Sequence, residues 1–170
     1  MASPTPTSNN ETYTVGKLSN LAQPTISLKG NHVWNGFKHT DFPQNIGTGD
    51  EVDFTHLGKS EDNQIEGSEA CLVYELPDGK KWIVAWSNPF EFYKRTENKV
   101  YTDIVQQPIH MNEIQAALHS QGKQSMDKYL FGYHAHADID EYTNTPTMRA
   151  SIEALVERSI ATSTERSIRV

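Results

Sequence analysis

The chain carries a single cysteine, Cys71, so no internal disulfide can staple its fold. It has no apolar run near the roughly 18 residues that a membrane-spanning helix requires. Basic side chains are in deficit: 15 Lys and Arg stand against 22 Asp and Glu, a formal charge of -7. That balance removes the electrostatic footprint of a general nucleic-acid binder and of a polybasic membrane anchor. A phosphate-cradling glycine loop, a Gly-x-Ser-x-Gly elbow, a His-Glu-x-x-His pair and a Cys-x-x-Cys pair are all missing, as is any repeat of fixed period. A lone thiol without a partner suits a reducing compartment, and we expect a cytoplasmic protein.

Only 36% of the residues are hydrophobic, yet three Trp, seven Tyr and six Phe are enough large side chains to build a core. At 170 residues the length fits one domain. Residues 1–12, rich in Pro, Ser, Thr and Asn, read as a flexible arm, with neither a secretory nor a transit pattern. Residues 13–160 read as a single domain and residues 161–170 as a loose tail.

From Tyr13 on, turn residues recur about every ten positions, as in a sandwich or barrel of short strands. Thr25 to Leu28 alternates before Gly30-Asn31, and Val33-Trp34 with Phe37 begins another half-buried segment. Glu51 to Leu57 alternates cleanly, with Val52, Phe54 and His56 on one face. Ala70 to Leu76 is an apolar run suited to a strand buried on both sides. Pro77-Asp78-Gly79-Lys80 is a hairpin turn and Lys81 to Trp86 its returning partner. Trp82 and Trp86, four apart, share a face of that strand, where core packing is their expected use.

Two stretches have helical spacing. Asn112 can cap a short helix carrying Ile114, Ala117 and Leu118, with Gly122 beyond its end. Thr145-Pro146 followed by Met148, Ile152, Leu155 and Val156 fits a helix, but Met148, Ala150, Ile152 and Ala154 also alternate like a strand, so both readings stand for residues 146–156. The expected architecture is mainly β, an antiparallel β-sandwich with one or two short helices.

The order Trp34, Asn35-Gly36, His39, Phe42-Pro43, Gly49, Phe54-Thr55-His56, Gly67-Ser68, Val73-Tyr74, Trp82, Ala85-Trp86, Pro89 and Asn98 to Asp103 resembles the plant 23 kDa jasmonate-induced protein family. The likeness runs over roughly residues 28–120, and the Trp82/Trp86 hairpin is more distantly similar to the aegerolysin and actinoporin-like sandwiches, whose members bind membrane lipids. This resemblance implies a β-sandwich made under stress in a plant cell, a defence-type protein rather than an enzyme, with a glycan- or lipid-recognition surface. It implies no reaction and no cofactor.

Chemistry is suggested by spacing at one place. In Tyr129 to Asp140, residues Phe131, Tyr133, Ala135, Ala137 and Ile139 alternate onto one face, and His134, His136 and Asp138 fall on the other. Two imidazoles and a carboxylate in that order are candidate ligands for zinc or another divalent ion, and would serve a metal-dependent enzyme of specialised metabolism. The plain alternative is the wet face of an amphipathic strand. Phe90, Phe92 and Tyr93 put three aromatics into one loop, where they suit stacking on a sugar or insertion at a lipid surface, as in a membrane-binding or pore-forming protein. Trp34 and His39 join them as candidate ligand contacts. Cys71, in its apolar run, is expected to be inert. Exposed strand edges would permit a homo-oligomer.

Overall fold

The structure, a computed structural model, describes residues 11–21, 24–58, 60–61 and 64–155. The elements run β1 (Tyr13–Leu21), β2 (Ile26–Asn35), β3 (Phe37–Lys38), β4 (Asn45–Ile46), β5 (Glu51–Leu57), β6 (Ser60–Glu61), β7 (Gln64–Ile65), β8 (Ser68–Glu75), β9 (Lys81–Asn88), β10 (Lys99–Val105), α1 (Met111–Gln121), β11 (Ser125–Leu130), β12 (Tyr133–Ile139) and β13 (Thr147–Ala154). Two sheets face each other: β11-β12-β13-β1-β5-β3 and β10-β9-β8-β2-β4, with β6-β7 a separate small ribbon. The β-sandwich expectation holds, with one helix among the described residues.

The central hairpin explains why its sequence is apolar without alternation. Ala70, Leu72 and Tyr74 of β8 pair with Trp86, Val84 and Trp82 of β9 and line the space between the sheets. Cys71 and Val73 pair with Ala85 and Ile83 and look the other way, under Ile114 and Leu118 of α1. Both faces are therefore dry. The turn joining the strands is the one its residues encode: Leu76 N–H donates to the Lys80 carbonyl at 2.8 Å, and Gly79 sits at φ +84, a conformation that costs glycine little. Both indoles are fully buried with their N–H groups satisfied, Trp82 on Thr102 Oγ1 at 3.0 Å and Trp86 on Ser68 Oγ at 3.0 Å.

Residues 147–154 resolve as a strand. They lie between β12 and β1, and Met148, Ala150 and Ile152 face the core. The β1–β13 pair is parallel, so the sandwich is not purely antiparallel. Helix α1 begins at Met111 with His110 in the extended cap position and no side-chain cap, not at Asn112 as the sequence suggests; Glu113 in the first turn faces the helix dipole instead. Gly122 does close the helix, donating its N–H to Leu118 O at 3.0 Å. Phe131 leaves the alternating face to which its spacing assigned it, because β12 starts at Tyr133 and Phe131-Gly132 form the turn, with Phe131 at φ 53. The expected arm and tail fall almost wholly outside the described residues. Thr12 is an exception: it is buried, and its carbonyl accepts from Gly58 N–H at 2.7 Å, so order begins before Tyr13.

Candidate functional site

One end of the sandwich is closed by two irregular segments, residues 89–98 between β9 and β10 and residues 140–146 between β12 and β13. Asn88, the last residue of β9 and fully buried, organises both. Its Nδ2 donates to Tyr13 O (3.2 Å), Thr14 Oγ1 (3.3 Å) and Asn144 O (3.1 Å), while its Oδ1 accepts from Lys94 Nζ at 3.0 Å. Lys94 also donates to the Pro89 carbonyl. Burial draws its amine down to about 8 against the opposing pull of Glu91.

Glu91 serves the loop by accepting hydrogen bonds. Its carboxylate takes the N–H groups of Arg95 (2.6 Å) and Thr96 (2.8 Å) and the Thr96 hydroxyl, which hold its pKa down at about 2. Asn144 Nδ2 donates to Glu91 O at 2.7 Å, Asn98 Nδ2 to Asp140 O (2.9 Å) and Thr143 O (2.8 Å), and Tyr142 to Glu97 Oε1 at 3.0 Å. Every one of these bonds but those within 89–98 crosses between the two segments. The product is a pair of loops tied to each other and to the core, carrying Phe92, Tyr93 and Tyr142 at 74%, 81% and 52% exposure. Phe90 packs edge-on against Phe92, ring centroids 5.1 Å apart.

The outer face of the six-stranded sheet holds the expected histidines. β12 alternates as its sequence predicts, and His134, His136 and Asp138 point outward together. They do not converge. His134 Nε2 and His136 Nδ1 both meet one oxygen of Asp127, at 2.7 and 2.9 Å, whereas Asp138 meets the far nitrogen of His136 at 3.0 Å and then Arg149 at 3.4 Å. Burial pulls the His136 imidazole down, but its bonds to Asp127 and Asp138 outweigh that and leave it above its ordinary value. The same imidazoles hold the Asp127 carboxyl below the usual carboxylate range. Among the described residues, no group of three or more His, Cys, Asp and Glu side chains is arranged to hold a metal ion. Asp127 is invisible to a reading of β12 alone; it arrives through the β11–β12 register, which sets it opposite His136. Tyr129, 64% exposed, lies parallel on His134 at 4.2 Å.

Trp34 is half-buried against the cluster beneath α1, with its indole N–H occluded and without a hydrogen-bond partner among the described residues, and His39 is exposed in the segment after β3. Ring contacts pair Trp34 with His32 and Phe90 with Phe92 and join neither pair to the other. His56 and Ser68 form a Ser–His pair at 2.8 Å, but both are fully buried, so the pair belongs to the core. Cys71 is buried and its thiol is pushed up to about 12 by desolvation, in keeping with an inert role. Tyr142 is an exposed aromatic that sequence reading missed; hydrogen bonds tie its loop to the one that carries Phe92 and Tyr93.

A family model described as "Nakanori-like protein" matches residues 9–155. Among solved structures, the chain superimposes on "lipid binding protein Nakanori" with a TM-score of 0.74 and 18% identity, over 84% of this chain and 71% of that one. It superimposes on the wild-type Xerocomus chrysenteron lectin XCL with a TM-score of 0.58 and 9% identity, over 84% and 99% of the two chains. The RahU protein in complex with TRIS gives 0.55 and 9%, over 86% and 98%. At these identities the structural likeness speaks for the fold. No curated protein matches.

Proposed function

We propose, from the premise that this chain belongs to the Nakanori-like family, that it is a non-enzymatic recognition protein that docks on a lipid surface through the end of the sandwich bearing Phe92, Tyr93 and Tyr142. The observation that carries this reading is the exposure of those three aromatics on two loops that are tied to each other. Large exposed rings on a soluble fold are costly unless they meet a partner, and rings with an apolar body and a polar edge suit the headgroup boundary of a bilayer. A formal charge of -7 disfavours an anionic surface, so the matching membrane is zwitterionic or uncharged. The description of a family relative as a lipid binding protein accords with this.

Flotation with phosphatidylcholine vesicles tests it. The unmodified chain should float and the Phe92→Ala/Tyr93→Ala double variant should stay at the bottom. A chain that never floats removes the reading.

A second reading, glycan binding on the outer face of the six-stranded sheet, is favoured by Tyr129, whose exposed ring is held by His134 beside the Asp127 carboxylate. A glycan array probed with the unmodified chain and with Tyr129→Ala decides it, since identical profiles dismiss that face. Kinship with jasmonate-induced plant proteins, a role in stress defence and a cytoplasmic location form a finer proposal. Transcript and protein levels that stay flat after jasmonate treatment, or a protein recovered outside the cytosolic fraction, count against the corresponding part.

A further inference from the structure

Residues 89–98 have no strand partner, and a loop of that length usually owes its shape to few contacts. Here the shape is set from within. We propose that Lys94 is the positioning residue of the docking end: its ammonium closes the arch of residues 89–94 and, through Asn88, couples that arch to residues 140–146, so that Phe92, Tyr93 and Tyr142 form one preorganised surface. This inference rests on the membrane reading above.

The geometry is specific to an ammonium. Lys94 Nζ reaches back to Asn88 Oδ1 at 3.0 Å and to the Pro89 carbonyl, so the side chain spans the foot of the arch that carries Phe90, Phe92 and Tyr93. A Lys head has three donors and no acceptor, which matches two converging oxygens. Asn88 cannot relax without effect elsewhere, because its Nδ2 is shared among Tyr13 O, Thr14 Oγ1 and Asn144 O, and Asn144 in turn donates to Glu91 O. Lys94, Asn88, Asn144 and Glu91 thereby form a chain of hydrogen bonds across the base of both loops, with Glu91 attracting the Lys94 ammonium in turn. Lys94 itself is only partly exposed and its ammonium is turned to Asn88 and Pro89, so its contribution to binding runs through the arch it holds. Rings held in their bound orientation lose less freedom on docking, which raises affinity without any new contact.

The test uses Lys94→Met, which keeps the unbranched stem as far as Cε and removes every side-chain donor, with two readouts. The first is the electron paramagnetic resonance line shape of a nitroxide at Arg95→Cys, a position whose side chain is exposed; Cys71, buried with a raised pKa, does not compete for the label. The second is the bound fraction on phosphatidylcholine vesicles. We expect an immobilised spectrum that becomes mobile in Lys94→Met, with vesicle binding reduced roughly fivefold or more and the cooperative melting of the core retained. An unchanged line shape in Lys94→Met overturns the positioning role, and so does a mobile label with undiminished binding. Failure of the unmodified chain to float removes the membrane reading and the surface with it, whereas flotation that survives in Lys94→Met removes only the role given to Lys94. Should Lys94→Met lose its cooperative melting, Asn88→Asp, which keeps the Oδ1 acceptor and removes the Nδ2 donor, must separate the two loops and weaken binding in the same direction, and normal binding by it overturns the proposal.

Discussion

His56 Nδ1 and Ser68 Oγ lie 2.8 Å apart at the centre of the sandwich, and the same hydroxyl accepts from Trp86 Nε1 at 3.0 Å. Trp86 can only donate, so the serine hydrogen is free to go to Nδ1 and the ring proton of His56 then sits on Nε2, which has no partner among the described residues. The imidazole is packed between Phe42, parallel at 6.1 Å, and Trp86, edge-on at 5.6 Å. Among the described residues no charge faces it, and burial draws its pKa from 6.5 down to about 4.

Acid therefore weakens the fold through His56. Between pH 6.5 and pH 4 the unfolded chain binds the proton that the folded chain refuses, so stability falls as pH falls through that window and the loss saturates below it. A gap of that size amounts to roughly 3 kcal/mol. Urea denaturation at pH 7.5 and pH 4 should show this loss on top of that from carboxylates, and His56→Phe should show a distinctly shallower dependence. Equal slopes for the two proteins would refute the assignment.

Gly16 on β1 lies under the Phe54 ring so closely that an added Cβ would stand 2.1 Å from ring carbons. Gly16→Ala should cost about 2–3 kcal/mol by overpacking. Adding Phe54→Leu should return part of that, a coupling that a double-mutant cycle reads directly. Additive losses would mean that the ring moves aside freely.

Glu69, only 7% exposed, joins α1 to the five-stranded sheet: Oε1 accepts from Gln115 Nε2 at 3.0 Å and lies 2.8 Å from His119 Nε2, and Oε2 accepts from Ser87 at 3.1 Å. Glu69→Ala removes all three bonds and should destabilise the protein by about 1–2 kcal/mol. Hydrogen exchange should quicken across residues 111–121 more than in β8 and β9. Uniform quickening would instead point to a global effect.

Phe92→Ala and Tyr93→Ala remove rings that are largely in solvent, so each should leave the melting temperature within about 2 °C of the unmodified protein. Both should lower vesicle binding, and Tyr142→Phe, which loses the bond to Glu97, should lower it less than Tyr142→Ala. A drop in melting temperature that tracks the drop in binding would assign these rings to the core.

Local chemistry was enough to specify much of the chain. The Pro77-Asp78-Gly79 turn, the alternation in Glu51–Leu57 and Tyr133–Ile139, and the burial of Trp82 and Trp86 all follow from backbone preferences and the period of two, which act within a few residues. Other features depend on pairing between residues far apart in sequence. Thr147–Ala154 carries helical and strand periodicities together, and parallel pairing with β1 on one side and β12 on the other selects the strand. His134 and His136 look like a ligand pair with Asp138 until the β11 register brings Asp127 between them. The union of Phe92 and Tyr93 with Tyr142 rests on hydrogen bonds from Asn88, Asn98 and Asn144 spanning some 40 to 75 positions. Side chains that point the same way along one strand can be counted from the sequence, but which side chains meet across two segments is set by the packing of the whole core, and the recognition end is made of such meetings.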